Sequence, residues 1–450
     1  MRIERLADLG PAPEVLRRLS LATARRGLPG PAALTGDWFG CRALIAPSLA
    51  TAECAPAAVF EAGPTIDGPP GAVGGGWLGY LSYPDPGADV RGPRIPVAAG
   101  GWTDSLLRRD ADGTWWYECL SGAPMPGWLS DALTEREAGF TFDGRREAGF
   151  THEGGPGNLA DAHRPAGSWH IDWHAPDPRA HRAGVLACLE AIADGEVYQA
   201  CVCTQFTGRL TGSACAFFAD AVAATDPARG AFLAGPWGAV ASLSPELFLS
   251  RRGELLTSSP IKGTVAATAD PAALRASVKD VAENVMIVDL VRNDLSRVAH
   301  TGSVTVTELL AIKPAPGVWH LVSTVTAQVA AAVPMRNVLE ATFPPASVTG
   351  TPKRRARELL AGWEPHRRGI YCGTVGIASP LAGTELNVAI RTVEFDAAGR
   401  AVLGVGGGIT ADSDPDAEWD ECLHKAAPTL ELMCSDGSCR AESAPAARAR

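Results

Sequence analysis

From Pro178 onward, strand-like and helix-like runs follow one another without strict alternation, and this order limits the fold more than any other feature of the chain. A helix is expected from Pro178 to Ala193, where Val185, Leu186, Leu189 and Ile192 recur at helical spacing and Gly195 closes the pattern. A strand should start at Val197, with others around Val240 to Leu249, Glu254 to Leu256 and Ser323 to Val329. Helices are expected around Lys279 to Val298, Arg354 to Ala361 and Pro415 to Leu432. A Rossmann-type fold would need strand and helix to take turns, so the pattern predicts an α+β protein with antiparallel sheets. Residues 1–120 alternate short apolar runs with Gly/Pro turns and read as β-rich, and Gly74 to Leu81 forms a strand entered through a glycine bend. Residues 121–169 are rich in Gly, Pro, Glu and Arg, with Glu-Ala-Gly-Phe-Thr at Glu137 and again at Glu147, and are expected to form a surface excursion or linker. Residues 170–433 make the regular remainder, and 434–450 a frayed tail.

A formal net charge of -10 with no Lys/Arg run argues against a nucleic-acid or anionic-membrane surface and favours small-molecule chemistry. Nowhere do eighteen apolar residues run together, and Met1 to Arg26 has no apolar core for a signal peptide, so a cytoplasmic protein is expected. The eleven cysteines contain no Cys-x-x-Cys pair; Cys201 and Cys203 fall on one face of a strand, and the set reads as reduced, mostly buried thiols.

Four constellations could carry chemistry. Lys262 stands between apolar strand and turn in Pro260-Ile261-Lys262-Gly263-Thr264; burial there would lower its pKa towards a neutral, nucleophilic amine, the alternative being a solvated turn lysine. Glu283, with Glu418 and Glu421 three apart on another helix, suits a hard cation such as Mg²⁺, or else a solvated acidic face in which Lys425 is simply the i,i+4 partner of Glu421. Gly404 to Ile409 removes side chains where backbone N–H groups could meet an anion, but it lacks the strand-turn-helix order of a dinucleotide site. Ser347 to Arg354 sets hydroxyls and a glycine before a helix start that could receive a carboxylate. Taken singly, His320, Arg391 and Glu246 read as a core hydrogen bond, an ion pair and a surface acid. Cys372 lacks the neighbours of a glutaminase nucleophile.

In order along residues 180 to 433, these segments resemble the chorismate-utilising enzymes. The carrying motifs are Gly195 to Gln199, Ser244 to Phe248, Pro260 to Thr264, Glu283-Asn284 through Asp294, His320 to Thr324, Thr349 to Lys353, Ala389 to Thr392, and Gly406 to Ile409 with Glu418 to Glu421. The resemblance implies an anthranilate-synthase-like α+β fold, two antiparallel sheets packed as a β-sandwich with helices outside and the site between them. It implies Mg²⁺ on Glu283 and Glu421, with Glu418 holding a metal-bound water and Lys425 near the cluster. Arg391 and the amides around Gly407 and Gly408 would grip the enolpyruvyl carboxylate of chorismate, with His320 and Thr349 as ring contacts. Where isochorismate-forming relatives carry a general-base lysine this chain has Gln199, which favours ammonia over water as nucleophile. Anthranilate synthases typically have alanine at the position of Lys262, whereas the branch that aminates chorismate at C4 has lysine. Glu246 matches the acid that protonates the departing hydroxyl. The resemblance also implies a separate class I glutaminase subunit as the ammonia source, with anthranilate formation as the rival activity.

Overall fold

Four helices begin where the chain supplies its own cap, among them Ala214–Thr225 at Ser213, and three of them position the site. Asp177 accepts from the Arg179 N–H and starts Pro178–Ala193. Ser277 does the same for Val278–Ser296 through the Asp280 N–H, and Asp414 for Pro415–Leu430 through those of Asp416 and Ala417. The Val278–Ser296 helix buries Glu283, Ile287, Val291 and Leu295, a stripe at i, i+4 spacing whose first member is a carboxylate. In Pro415–Leu430 the buried stripe is Glu418, Cys422 and Ala426. Amphipathicity thus turns two acidic residues inward.

The computed structural model describes residues 1–85, 94–134 and 167–432. Its strands form two sheets, of twelve and ten strands, whose neighbours pair antiparallel, so the α+β expectation holds. In the larger sheet the long strand Gln199–Gly212 pairs with Arg400–Ile409, and Arg229–Gly235 pairs with Gly238–Ser244 on one side and Ala32–Trp38 on the other. In the smaller, Gly76–Leu81 pairs with Thr374–Ser379. Strands from residues 1–120 are therefore woven into both sheets beside strands from the second half of the chain. Among the described residues, no helix is long and apolar enough to cross a membrane, and every free cysteine except Cys54 is buried.

Several elements differ from expectation. The stretch Val240 to Leu249 is two strands: Gly238–Ser244 belongs to the larger sheet and Leu247–Arg252 to the smaller, with the chain crossing between them at Pro245-Glu246. The strand expected at Val197 begins at Gln199. Ala12–Arg26 is a helix inside the part read as β-rich, burying Ala12, Val15, Leu16, Leu19 and Ala22. Gly127–Thr134, within the expected excursion, is a helix with Leu129, Ala132 and Leu133 buried. The repeated Glu-Ala-Gly-Phe-Thr segments and the C-terminal tail lie outside the described residues.

A polar seam joins the sheets. Arg229, on the larger sheet, donates to Glu385 on the smaller, and both are buried. Glu385 also accepts from Arg252 at 3.0 Å and from the Phe39 N–H at 2.9 Å. Two residues on, the Asn387 amide donates to the Arg229 carbonyl at 2.9 Å and to Ser242 Oγ at 3.1 Å. Glu385→Ala leaves the buried Arg229 guanidinium only the exposed Asp37, 3.6 Å away, so urea unfolding should show a loss of about 3 kcal/mol.

Candidate active site

The chain passes between the sheets twice in adjacent places, at Pro245-Glu246 and at Val388 to Arg391. The two crossings hold each other: the Val388 N–H donates to the Glu246 carbonyl and the Leu243 N–H to the Arg391 carbonyl, each at 3.0 Å. Arg391 has a φ of 50°, in the left-handed region, where the chain turns back into the larger sheet. Irregular pairing follows at Leu247, which bends the strand as it leaves Glu246. The result sets Glu246 beside Arg391 in the interior.

Glu246 is buried, and its Oε1 accepts from Ser347 Oγ at 2.6 Å. Burial pushes its carboxyl up to about 7, although Ser347, the Lys262 and Arg391 charges and the Ile261 N–H all oppose the shift. A carboxyl poised there can donate a proton near neutral pH.

Lys262 owes its orientation to a β-bulge. Ile261 pairs with Val322 and Thr264 with His320, so Lys262 and Gly263 together stand opposite Leu321 alone. Gly263 takes the positive φ, 89°, that this geometry requires. The residue as a whole is half-buried, but its ammonium end is turned inward, 3.2 Å from where a Cβ on Gly408 would lie. The same Cβ would stand 2.8 Å from Gln199 Nε2, so glycine at 408 keeps the space between Lys262 and Gln199 open. The expected fall in the Lys262 pKa is corrected here: burial does push downwards, but Cys201, Glu283, Glu246 and Glu421 together outweigh it and the ammonium is raised. Glu283 and Glu421 carry most of that effect, because burial also pushes up the Cys201 thiol, which stays protonated at neutral pH, and the Glu246 carboxyl, which is only partly ionised there.

The carboxylates brought inward by the two helices meet next to the glycine strand. Glu283 is raised, first by burial, with Lys262 and Lys279 opposing and Glu421 adding. Glu421 is lowered: burial would raise it, but Lys425 at 2.6 Å, Lys279 and Lys262 prevail. Lys425 is thus the i,i+4 partner of Glu421, and it also donates to the Gly406 carbonyl at 2.8 Å. Glu418 Oε1 accepts from Ser413 Oγ at 2.7 Å and from Lys279 Nζ at 3.2 Å. Lys279 lies 4.0 Å from Glu283 Oε1. Among the described residues no three acidic, imidazole or thiol groups converge into a ready metal centre. Lys279 and Lys425 balance the acids instead. Two oxygens, Glu283 Oε1 and Glu418 Oε2, are nevertheless buried without a hydrogen-bond partner, and a Cβ at Gly407 would lie 2.8 Å from the latter. Unsatisfied carboxylate oxygens beside a cleared space are the donor chemistry of a hard divalent cation.

The remaining candidates surround this space. His320 is buried, shares a 2.8 Å hydrogen bond between Nδ1 and Thr264 Oγ1, and has no partner for Nε2. Burial, with Arg391 adding, lowers it to about 4, so the ring is neutral. Gln199 is fully buried and its Oε1 lacks a partner. Thr349 gives its hydroxyl to the Pro345 carbonyl at 2.9 Å, leaving only acceptor lone pairs for a ligand. Ser347 and Thr264 fall inside motifs named above, but their bonds to Glu246 and His320 are not visible in the sequence, nor are the roles of Ser413 and Lys279. Each acts through a partner far along the chain or on another element, and only the i,i+4 spacing of Lys279 and Glu283 is a signal visible in one dimension.

A family model described as chorismate binding enzyme matches residues 60–431. The chain belongs to this family. It is 42% identical over 246 residues to aminodeoxychorismate synthase component 1 of Klebsiella aerogenes, covering 53% of this chain and 54% of that protein. It is 36% identical over 279 residues to anthranilate synthase component 1 of Arthrobacter globiformis, covering 59% and 52%. The chain therefore spans about half the length of the curated relatives it matches. Anthranilate synthase component I of Streptococcus pneumoniae has the same fold, with a TM-score of 0.64 over 83% of this chain and 84% of that one at 23% identity. The anthranilate-synthase-like architecture is thereby established for the chain.

The state of Glu246 should be readable in stability. With a folded value of about 7 against an ordinary 4.5, the folded chain holds a proton that the unfolded chain has lost. Stability from this group is complete below the ordinary value and falls as pH rises through about 7. Urea unfolding of Glu246→Gln should lack a pH-dependent loss, about 3 kcal/mol in the parent, that accumulates across this window.

Proposed function

We propose that this chain aminates chorismate at C4, giving 4-amino-4-deoxychorismate with the enolpyruvyl group retained. The observation that carries this reading is Lys262, aimed by its bulge at the space cleared by Gly408 and within the fields of Glu246, Glu283 and Glu421. The likeness to aminodeoxychorismate synthase component 1 supports it, and the same likeness favours a separate class I glutaminase subunit as the ammonia source. Cytoplasmic action with chorismate and ammonia as substrates belongs to the same proposal.

In this reading the Lys262 amine adds at ring C2, the ring double bonds shift, and the C4 hydroxyl leaves as water with the proton of Glu246. Ammonia then adds at C4, the double bonds shift back and Lys262 is expelled. Arg391 and the backbone around Gly407 and Gly408 hold a substrate carboxylate so that C2 faces Nζ. Neutral His320 offers Nε2 to the ring substituents, and Gln199, which cannot act as a base, leaves water unactivated. Glu283, Glu421 and Glu418 would hold Mg²⁺, which supplies positive charge opposite the ring carboxylate and cancels carboxylate charge that keeps Lys262 protonated.

With ammonium and Mg²⁺ the chain should turn over chorismate without releasing pyruvate until a lyase is added. Lys262→Ala should abolish the 4-amino product while chorismate binding persists. Stoichiometric pyruvate from the chain alone would instead mark an anthranilate-forming enzyme. Glu283→Gln should weaken Mg²⁺ binding, read by calorimetry, and cut turnover by roughly a hundredfold.

A further inference from the structure

Asp294, near the end of the Val278–Ser296 helix, is a buried carboxylate with no part in the chemistry above. Its Oδ2 accepts from Lys353 Nζ at 2.6 Å, and that ammonium also donates to the Thr342 carbonyl at 2.9 Å. Asp294 borders two separate spaces. One is a cavity of about 20 Å³ that it lines together with Glu246, Ser258, Thr342 and Ser347, enough for one water molecule with polar partners on several sides. The other is a groove of about 720 Å³ bordered by Lys353, Arg297 and Tyr198. Tyr198 is 70% exposed, so this groove reaches solvent. Glu246 thus lies within the fields of Lys262 and Arg391 and also lines a cavity that it shares with a second carboxylate, which itself borders the solvent-reaching groove.

We propose that Asp294 returns to Glu246 the proton that Glu246 gives up in each turnover, across a water held in the cavity the two residues share. The inference rests on Glu246 acting as the acid. The departing hydroxyl takes the Glu246 proton and leaves as water. The Glu246 carboxylate then takes a proton from the cavity water, which is replenished from the Asp294 carboxyl, and Asp294 regains its proton from the groove. No bond between heavy atoms forms or breaks. Burial, opposed by Lys353, pushes the Asp294 carboxyl up to about 6, close enough to Glu246 for transfer in this direction. Ser347 keeps Glu246 Oε1 fixed at the cavity wall.

The test is steady-state turnover of chorismate by the full chain with ammonium and Mg²⁺, in H₂O and in D₂O, for Glu246→Gln, Asp294→Asn and Val291→Ile. Val291 lines the cavity, and isoleucine there adds one carbon to its wall while leaving the Asp294–Lys353 pair intact. Asp294→Asn should lower kcat about tenfold, keep KM for chorismate within about twofold and enlarge the solvent isotope effect on kcat. Val291→Ile should move kcat and the isotope effect in the same direction, and it decides the matter alone if Asp294→Asn fails to fold. Parent-like kcat and isotope effect in both variants, with Glu246→Gln inactive, would overturn the relay and leave Glu246 recharged directly by the incoming amine. Full activity in Glu246→Gln would remove the acid itself, and the relay with it.

Discussion

Charges enclosed between two sheets must find partners there, and this requirement governs the molecule. Arg229 and Glu385 are removed from water on facing sheets, and each offsets the cost of burying the other's charge. Their pairing, reinforced by Asn387, fixes the separation and register of the sheets at the place where the chain crosses between them. The crossings at Glu246 and Arg391 lie next to this seam and are bonded to each other, so the proposed acid and the proposed carboxylate-binding arginine inherit their positions from it. Backbone irregularities cluster there too: the bulge at Lys262-Gly263, the bend after Glu246 and the left-handed Arg391. Regular strand geometry would send every second side chain away from the interior; these irregularities help turn Lys262, Glu246 and Arg391 towards the candidate site.

Within that space the outcome for each group is decided by neighbours as much as by burial. Glu246 and Lys262 are both withdrawn from water, yet the acid shifts towards its neutral form and the lysine towards its charged one. The difference is the company. Around Glu246 the opposing charges are too weak to overcome desolvation, while Lys262 faces several carboxylates at once. Glu283 and Glu421 diverge for a similar reason, since Lys425 makes a short contact with Glu421 alone. One polar interior therefore raises a carboxyl towards its neutral form and keeps an amine charged, the starting states from which the proposed chemistry would run.

Much of this was legible along the chain. The three capped helices that position the site were readable because caps and period are local, and Glu283 and Glu418 lay on predictable helix faces. The run Val240 to Leu249 deceived because both halves are apolar; the change of sheet at Pro245 is a three-dimensional event with only a proline to announce it. The Ala12–Arg26 helix carries a stripe at Val15, Leu16, Leu19 and Ala22 that its arginines and the β-rich surroundings mask. The downward expectation for Lys262 treated burial as acting alone, because the carboxylates that reverse it come from helices far away in sequence. Ser347 was visible as a hydroxyl before a helix, but its bond to Glu246 spans the two halves of the site.

The weaving of early strands into both sheets has a consequence for how the chain reaches its native state. Gly76–Leu81 sits between Thr374–Ser379 and Ala98–Thr103, and its side chains are almost all buried. During synthesis one edge of this apolar strand has a partner at once, whereas the other must wait until the C-terminal third emerges. Until then an unpaired, hydrophobic edge is exposed, the situation in which chains associate with one another or with chaperones. Closure over such long loops is also slow, because the entropy is lost before the contacts form. The early strand is thus obliged to wait for residues made much later, and the site, whose members run from Gln199 to Lys425, is completed only with the late residues.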